Sequence, residues 1–333
     1  MFPGAGKRPA PSFSATTCLA VIAVSLGLLP SPSPTASWVF PDGAGSVVLP
    51  ARFFQYGDIV VRMTVNGRGF DLSLDTGMSY NALDASVLDS MGFSGQSVVF
   101  DSVSFGSAHM RELPFARGSF YRHEQDGSLI VGLLGYDFLK AAVVEIDYDH
   151  QQVRIIQPSA FHPPPGSMQY QLFSDETVPL VSADIGNAEG GSFVIDTGAT
   201  TVTVFPRFVL NNRASFTSSQ VLKSGEEFHY FQFFWPLCGH TELTPYSVTQ
   251  VKVESVGVRN WVVWYAPPES CFAIKRLDGL IGYDFLRLFT VYVDYPQNLV
   301  VLEPNEAYKG APNTLPLSKP PTGYTMPPAH AAQ

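Results

Sequence analysis

"FDLSLDTGMSYNAL", residues 70–83, sets Phe70, Leu72 and Leu74 at alternate positions and then ends on Asp75-Thr76-Gly77. Alternation of period two marks a half-buried strand, and Asp and Gly are common turn formers after one. A lone Asp-Thr-Gly therefore reads as a surface turn. The pattern returns in "SFVIDTGATTVTVF", residues 192–205, with Asp196-Thr197-Gly198 at the end of a second apolar strand. Two copies raise the question of whether Asp75 and Asp196 meet.

An internal repeat extends well beyond these motifs. "GLLGYDFLKAAVVEIDYDHQQVRI" (132–155) lines up with "GLIGYDFLRLFTVYVDYPQNLVVL" (279–302), and Gly-Tyr-Asp-Phe-Leu is identical at 135–139 and 282–286. An acid followed by Tyr recurs at Asp147 and Asp294. Upstream of each Asp-Thr-Gly, two short strands flank a Gly-containing turn, which reads as a hairpin. The Asp-Thr-Gly copies stand 121 residues apart and the Gly-Tyr-Asp-Phe-Leu copies 147, so the second half carries 26 extra residues. These fall within or around 211–245, and length added at one place in one copy suggests a functional loop. Helical periodicity is confined to pieces near 82–91, 136–142 and 283–288. The fold class expected is mainly β, and Asp137 and Asp284 are expected to cap the helical turns that follow them.

Composition narrows the function classes. Hydrophobic residues make up 45% of the chain, which allows sizeable cores and excludes general disorder. A net charge of −9 without a basic run or basic amphipathic helix disfavours nucleic acid and anionic membranes as partners. Residues 1–37 read as a secretory signal peptide: Lys7 and Arg8, then the apolar "CLAVIAVSLGLL" (18–29), then small residues around 33–37. That implies a secreted or periplasmic protein with no membrane span after cleavage; the alternative is an uncleaved N-terminal anchor. Cleavage would take the net charge from −9 to −11 and remove Cys18. Cys238 and Cys271 remain, an even pair that reads as a disulfide in an exported protein or as two buried thiols. The expected division is a first lobe at 38–157, a Pro-rich linker at 158–168, a second lobe at 169–304 and a disordered Pro-rich tail at 305–333.

With both halves laid out, the residues resemble the aspartic proteases, and within them the retropepsin-like branch. In that family each lobe places Asp-Thr-Gly on a loop threaded beneath an apolar-apolar-Gly stretch, here Leu133-Leu134-Gly135 and Leu280-Ile281-Gly282. The resemblance covers most of residues 47–304. It implies a bilobal pseudo-two-fold fold of two closed β-barrel lobes with short helices, fused in one chain and expected to be monomeric. It implies that Asp75 and Asp196 are the catalytic pair of an aspartic-type endopeptidase, a hydrolase acting on a peptide or protein substrate, needing neither metal nor other cofactor. Thr76 and Thr197 would exchange hydrogen bonds between lobes. Gly77 and Gly198 would let backbone amides approach the carboxylates, and Gly135 and Gly282 would give the crossing loops room. A flap over the cleft would come from 225–243, where Phe233, Phe234 and Trp235 would line a substrate groove or pack on their own lobe.

One position departs from the pattern. A hydroxyl residue usually follows the motif in pepsin-like members, but Met78 and Ala199 stand there. Ala is usual in the retropepsin branch; Met is not. A missing hydroxyl removes a hydrogen bond to the ionised form and predicts a raised carboxyl pKa with a mildly acidic optimum. The seven His residues make no metal-ligand spacing, a zinc site from His229, Cys238 and His240 being the weak exception. Two other readings stay open: a catalytically silent bilobal protein that binds peptides in the same cleft, and a secreted β-protein with coincidental Asp-Thr-Gly turns.

Overall fold

The computed structural model describes residues 36–309 except 56, 121, 125, 173–176, 218–231, 236–238, 271, 274 and 275. Residues 1–35 of the segment read as a signal peptide (1–37), Cys238, Cys271 and residues 310–333 thus lie outside the described residues.

Each half begins with the expected hairpin. Ile59–Val65 pairs antiparallel with Arg68–Leu74, closed by Asn66-Gly67, both in the left-handed conformation that a two-residue hairpin loop requires. Its counterpart pairs Leu180–Ile185 with Ala188–Ile195. In both halves a later strand then runs parallel to the second hairpin strand. Leu129–Leu134 lies beside Arg68–Leu74, and Gly279–Ile281 beside Ala188–Ile195. The same late strands pair antiparallel with the segments just past each Asp-Thr-Gly, Ala82–Asp84 and Thr203–Val204. Each motif loop is therefore clasped on both sides by its own apolar-apolar-Gly strand, as expected.

Two long antiparallel hairpins complete the walls. Ser97–Phe105 with Ala108–Gly118 returns to Ile59–Val65 through Thr64 and Ser104. Thr244–Val253 with Val256–Tyr265 returns to Leu180–Ile185. The pairing closes a six-stranded barrel in each half, and the strand order is the same in both. Alternate residues of these strands fill the interiors: Ile59, Val61, Met63, Leu72 and Leu74 in the first, Val181, Ala183, Ile185, Phe193 and Ile195 in the second, all below 2% exposed. Burying each of these side chains larger than alanine is worth about 1.5–3 kcal/mol.

The two strands after each helical turn leave the barrels and build a third sheet. Its order is Met168–Gln171, Leu299–Pro304, Phe289–Asp294, Val143–Asp147, Gln152–Ile156, Ser46–Val48. Val143–Asp147 pairs antiparallel with Phe289–Asp294, so the central ladder joins the halves. The segment read as a Pro-rich linker, 158–168, packs onto this sheet: Phe161 is 8% exposed and its ring lies 5.2 Å from that of Tyr292. The tail reading also began too early, because Glu306–Lys309 form a helical turn with Tyr308 stacked 4.9 Å from Phe289. At the other end Ala36 is buried and Ser37–Val39 adds a strand to Ala108–Gly118. Among the described residues, no helix is long and apolar enough to cross a membrane.

Candidate active site

The two Asp-Thr-Gly loops meet where the barrels face each other. Backbone bonds fix each aspartate first. Asp75 N–H donates to Leu134 O at 2.9 Å and Asp196 N–H to Ile281 O at 3.0 Å. Each loop then folds back, Met78 N–H onto Asp75 O and Ala199 N–H onto Asp196 O. Gly77 N–H donates to Asp75 Oδ1 and Gly198 N–H to Asp196 Oδ1, both at 2.9 Å.

The threonines make the exchange that the resemblance implies. Thr76 Oγ1 donates to Ile195 O at 2.6 Å and accepts from Thr197 N–H at 3.0 Å. Thr197 Oγ1 donates to Leu74 O at 2.8 Å and accepts from Thr76 N–H at 3.1 Å. Both threonines are at most 1% exposed, and through them four backbone groups gain partners across the interface.

This lock brings the carboxyls together. Asp75 is 2% exposed and Asp196 7%, and each carboxyl packs against the motif glycine of the opposite loop. A side chain at either motif glycine would block the contact: a Cβ on Gly77 would lie 2.7 Å from the Asp196 carboxyl carbon, and one on Gly198 2.5 Å from that of Asp75. Cβ atoms at Gly135 and Gly282 would likewise meet backbone oxygens of the loops they cover, Met78 O and Ala199 O among them. Burial pushes the Asp75 carboxyl well above its usual range, and the charge of Asp196 pushes it further. Burial also raises Asp196, opposed by hydrogen bonds from Gly198 N–H and the Asp75 carboxyl. Such a pair holds one proton over a wide pH range, because two close charges in a dry site repel.

Comparison with known proteins adds little to this geometry. Among solved structures, the chain is similar to the aspartic proteinase from Irpex lacteus. The TM-score is 0.47 and the identity 12%, covering 78% of this chain and 98% of that one. No protein-family model matches the chain, and no curated protein matches it in sequence.

The remaining sequence candidates fall in different places. Met78 is 1% exposed, its carbonyl accepting from Tyr136 N–H at 2.9 Å. Asp137 and Asp284 do not cap their helical turns, whose N-caps are Gly135 and Gly282. Asp137 pairs with Lys140 at 2.7 Å. Asp284 is buried, accepts from Val202 N–H at 2.9 Å, and burial pushes its carboxyl up to about 8. Phe233, Phe234 and Trp235 lie on the strand Gln232–Trp235, which pairs antiparallel with Gly239–Glu242 as a ribbon separate from the barrels. The insertion accordingly sits between the helix Pro206–Asn211 and the barrel strand Thr244–Val253. Among the described residues, no group of His, Cys, Asp and Glu could hold a metal ion.

Sequence reasoning gave no role to Asn81 or to the tyrosines near the dyad. Asn81 Oδ1 accepts from Gly135 N–H at 2.8 Å, fixing the strand that clasps the first loop. Tyr136 and Tyr283 anchor the two loops by backbone, and the repeated Gly-Tyr-Asp-Phe-Leu was the signal that marked them.

Proposed function

We propose that the chain is an aspartic endopeptidase, with Asp75 and Asp196 sharing one proton between them. The observation that carries this reading is the apposition of two buried carboxyls, each packed on the opposite motif glycine and presented by a matching, cross-bonded loop. The ionised member takes a proton from a water as the protonated member donates to the scissile carbonyl oxygen. The water oxygen then bonds to the carbonyl carbon, and collapse of the tetrahedral species expels the amine with a proton returned from the dyad. Both proton-handling groups belong to this chain, so a monomer suffices. The segment read as an export signal ends near residue 35, because Ala36 is buried and Ser37 opens a strand, and the ribbon carrying Phe233, Phe234 and Trp235 acts as a flap that seats apolar side chains of a peptide.

The test is cleavage of a mixed peptide library by protein lacking residues 1–35, followed across pH and with a pepstatin-type inhibitor. Inhibitor-sensitive cleavage with a mildly acidic optimum supports the proposal. Peptide binding without turnover at any pH contradicts it and assigns a silent peptide-binding cleft instead. An optimum below about pH 3, under the ordinary Asp value, contradicts the raised carboxyls.

A further inference from the structure

Four tyrosines beside the dyad are paired across the two halves, and the proposed chemistry gives them no part. Each half supplies one from its Gly-Tyr-Asp-Phe-Leu turn, Tyr136 or Tyr283, and one just past its central shared-sheet strand, Tyr148 after Val143–Asp147 or Tyr295 after Phe289–Asp294. Tyr136 meets Tyr295 edge-on with ring centroids 5.1 Å apart and planes at 84°. Tyr148 lies 5.6 Å from Tyr283. The turn tyrosine of each pair is tied by backbone to the loop of its own half's aspartate. Tyr136 N–H donates to Met78 O at 2.9 Å, and Tyr283 N–H to Ala199 O at 2.8 Å. A ring from the second half therefore backs the Asp75 loop, and a ring from the first half backs the Asp196 loop. The electrostatics are crossed in the same way. The charge of Asp75 acts on Tyr295 and that of Asp196 on Tyr148, adding to the upward push that burial gives both phenols.

We infer that Tyr148 and Tyr295 are positioning residues, each holding the opposite half's aspartate loop through Tyr283 or Tyr136. The two are not equivalent. Tyr295 Oη donates to Thr177 O at 3.1 Å. Tyr148 Oη is buried and has no hydrogen-bond partner among the described residues, and the ring is flanked on another side by Phe53 at 5.8 Å. The work of Tyr148 therefore belongs to its ring, and the hydroxyl is dispensable. Removing the ring loosens the Asp196 loop and lets water reach a carboxyl whose pKa burial raises.

The inference rests on the dyad reading, so its test has one readout that needs no turnover. Tyr148→Leu and Tyr148→Phe are compared by peptide cleavage and by carbon-13 titration of the labelled aspartate carboxyls. In the leucine variant kcat is expected to fall about tenfold with little change in KM, because small misplacements of reacting groups cost rate rather than binding. Its dyad is expected to titrate at lower pH than in the unsubstituted protein. The phenylalanine variant keeps both properties and melts no lower, since it only deletes an unpaired buried hydroxyl. A folded leucine variant with unchanged kcat and unchanged titration overturns the inference. So does a phenylalanine variant that falls as far as leucine, because the hydroxyl would then hold the role. If the leucine variant does not fold, Tyr148→Met, which keeps bulk without a ring, is read in the same two ways. Should the unsubstituted protein cleave no peptide, the protease reading fails while the carboxyl titration still decides the brace.

Discussion

At the residue scale the site is a matter of protons and close approach. Gly198→Ala places a methyl 2.5 Å from the Asp75 carboxyl carbon, so one loop must retreat. A displacement of that size is expected to lower kcat at least 100-fold, measured on any cleaved peptide, with the protein still folded. Met78→Ser tests the departure noted in the sequence. A hydroxyl donating to the ionised dyad is worth about 1.5–3 kcal/mol, or roughly one to two pKa units. The pH–rate profile of the serine variant is therefore expected to move to lower pH. Asp284 supplies a separate pH prediction. Its carboxyl, raised to about 8 in the folded chain, favours folding below the unfolded Asp value and loses that contribution as pH rises towards 8. Asp284→Asn keeps an oxygen to accept from Val202 N–H and removes the buried charge. Its melting temperature should match the unsubstituted protein near pH 4 and exceed it at pH 8.

Among the elements, the crossed threonines and the ribbon make contrasting demands. Thr197→Val orphans Thr76 N–H and removes the hydroxyl bonded to Leu74 O. At about 1–3 kcal/mol per buried group left without a partner, the loss should be roughly 2–6 kcal/mol by urea unfolding, with activity lost as well. Deleting residues 232–242 removes no strand of either barrel, so melting should hold while cleavage of peptides disappears. Much of this was readable from spacing. The 121-residue offset that relates Asp75 to Asp196 also carries the first residue of the helix Ala85–Ser90 onto Pro206, where the helix Pro206–Asn211 begins, although its periodicity was too short to show it. What spacing did not show was Asn81, because its job is done by a side chain reaching 54 residues along the chain to Gly135. Nor did it show that Tyr148 and Tyr295 trade sides, since crossing is a property of pairing and not of order.

On the scale of the whole molecule, pseudo-two-fold symmetry is what turns two ordinary strand ends into one site. The closed barrels were legible because each half repeats the same order of hairpin, motif, helix and late strand. The six-stranded sheet that joins them was not, because the strands around 143–156 and 289–302 look in sequence like parts of their own lobes. They pair with each other because Val143, Val144, Ile146 and Val291, Val293 are apolar residues left over once each barrel has closed, and the ladder buries them to 0% exposure. This sheet and the threonine exchange together hold the halves at one separation, the one at which the proposed dyad would share its proton. The most direct test is therefore the rate of cleavage of one peptide by Asp75→Asn and by Asp196→Asn, each checked for an unchanged melting curve. Loss of turnover in both variants, by a factor of about 1,000 or more, is the predicted result; a folded variant of either that still cleaves at the unsubstituted rate would contradict it.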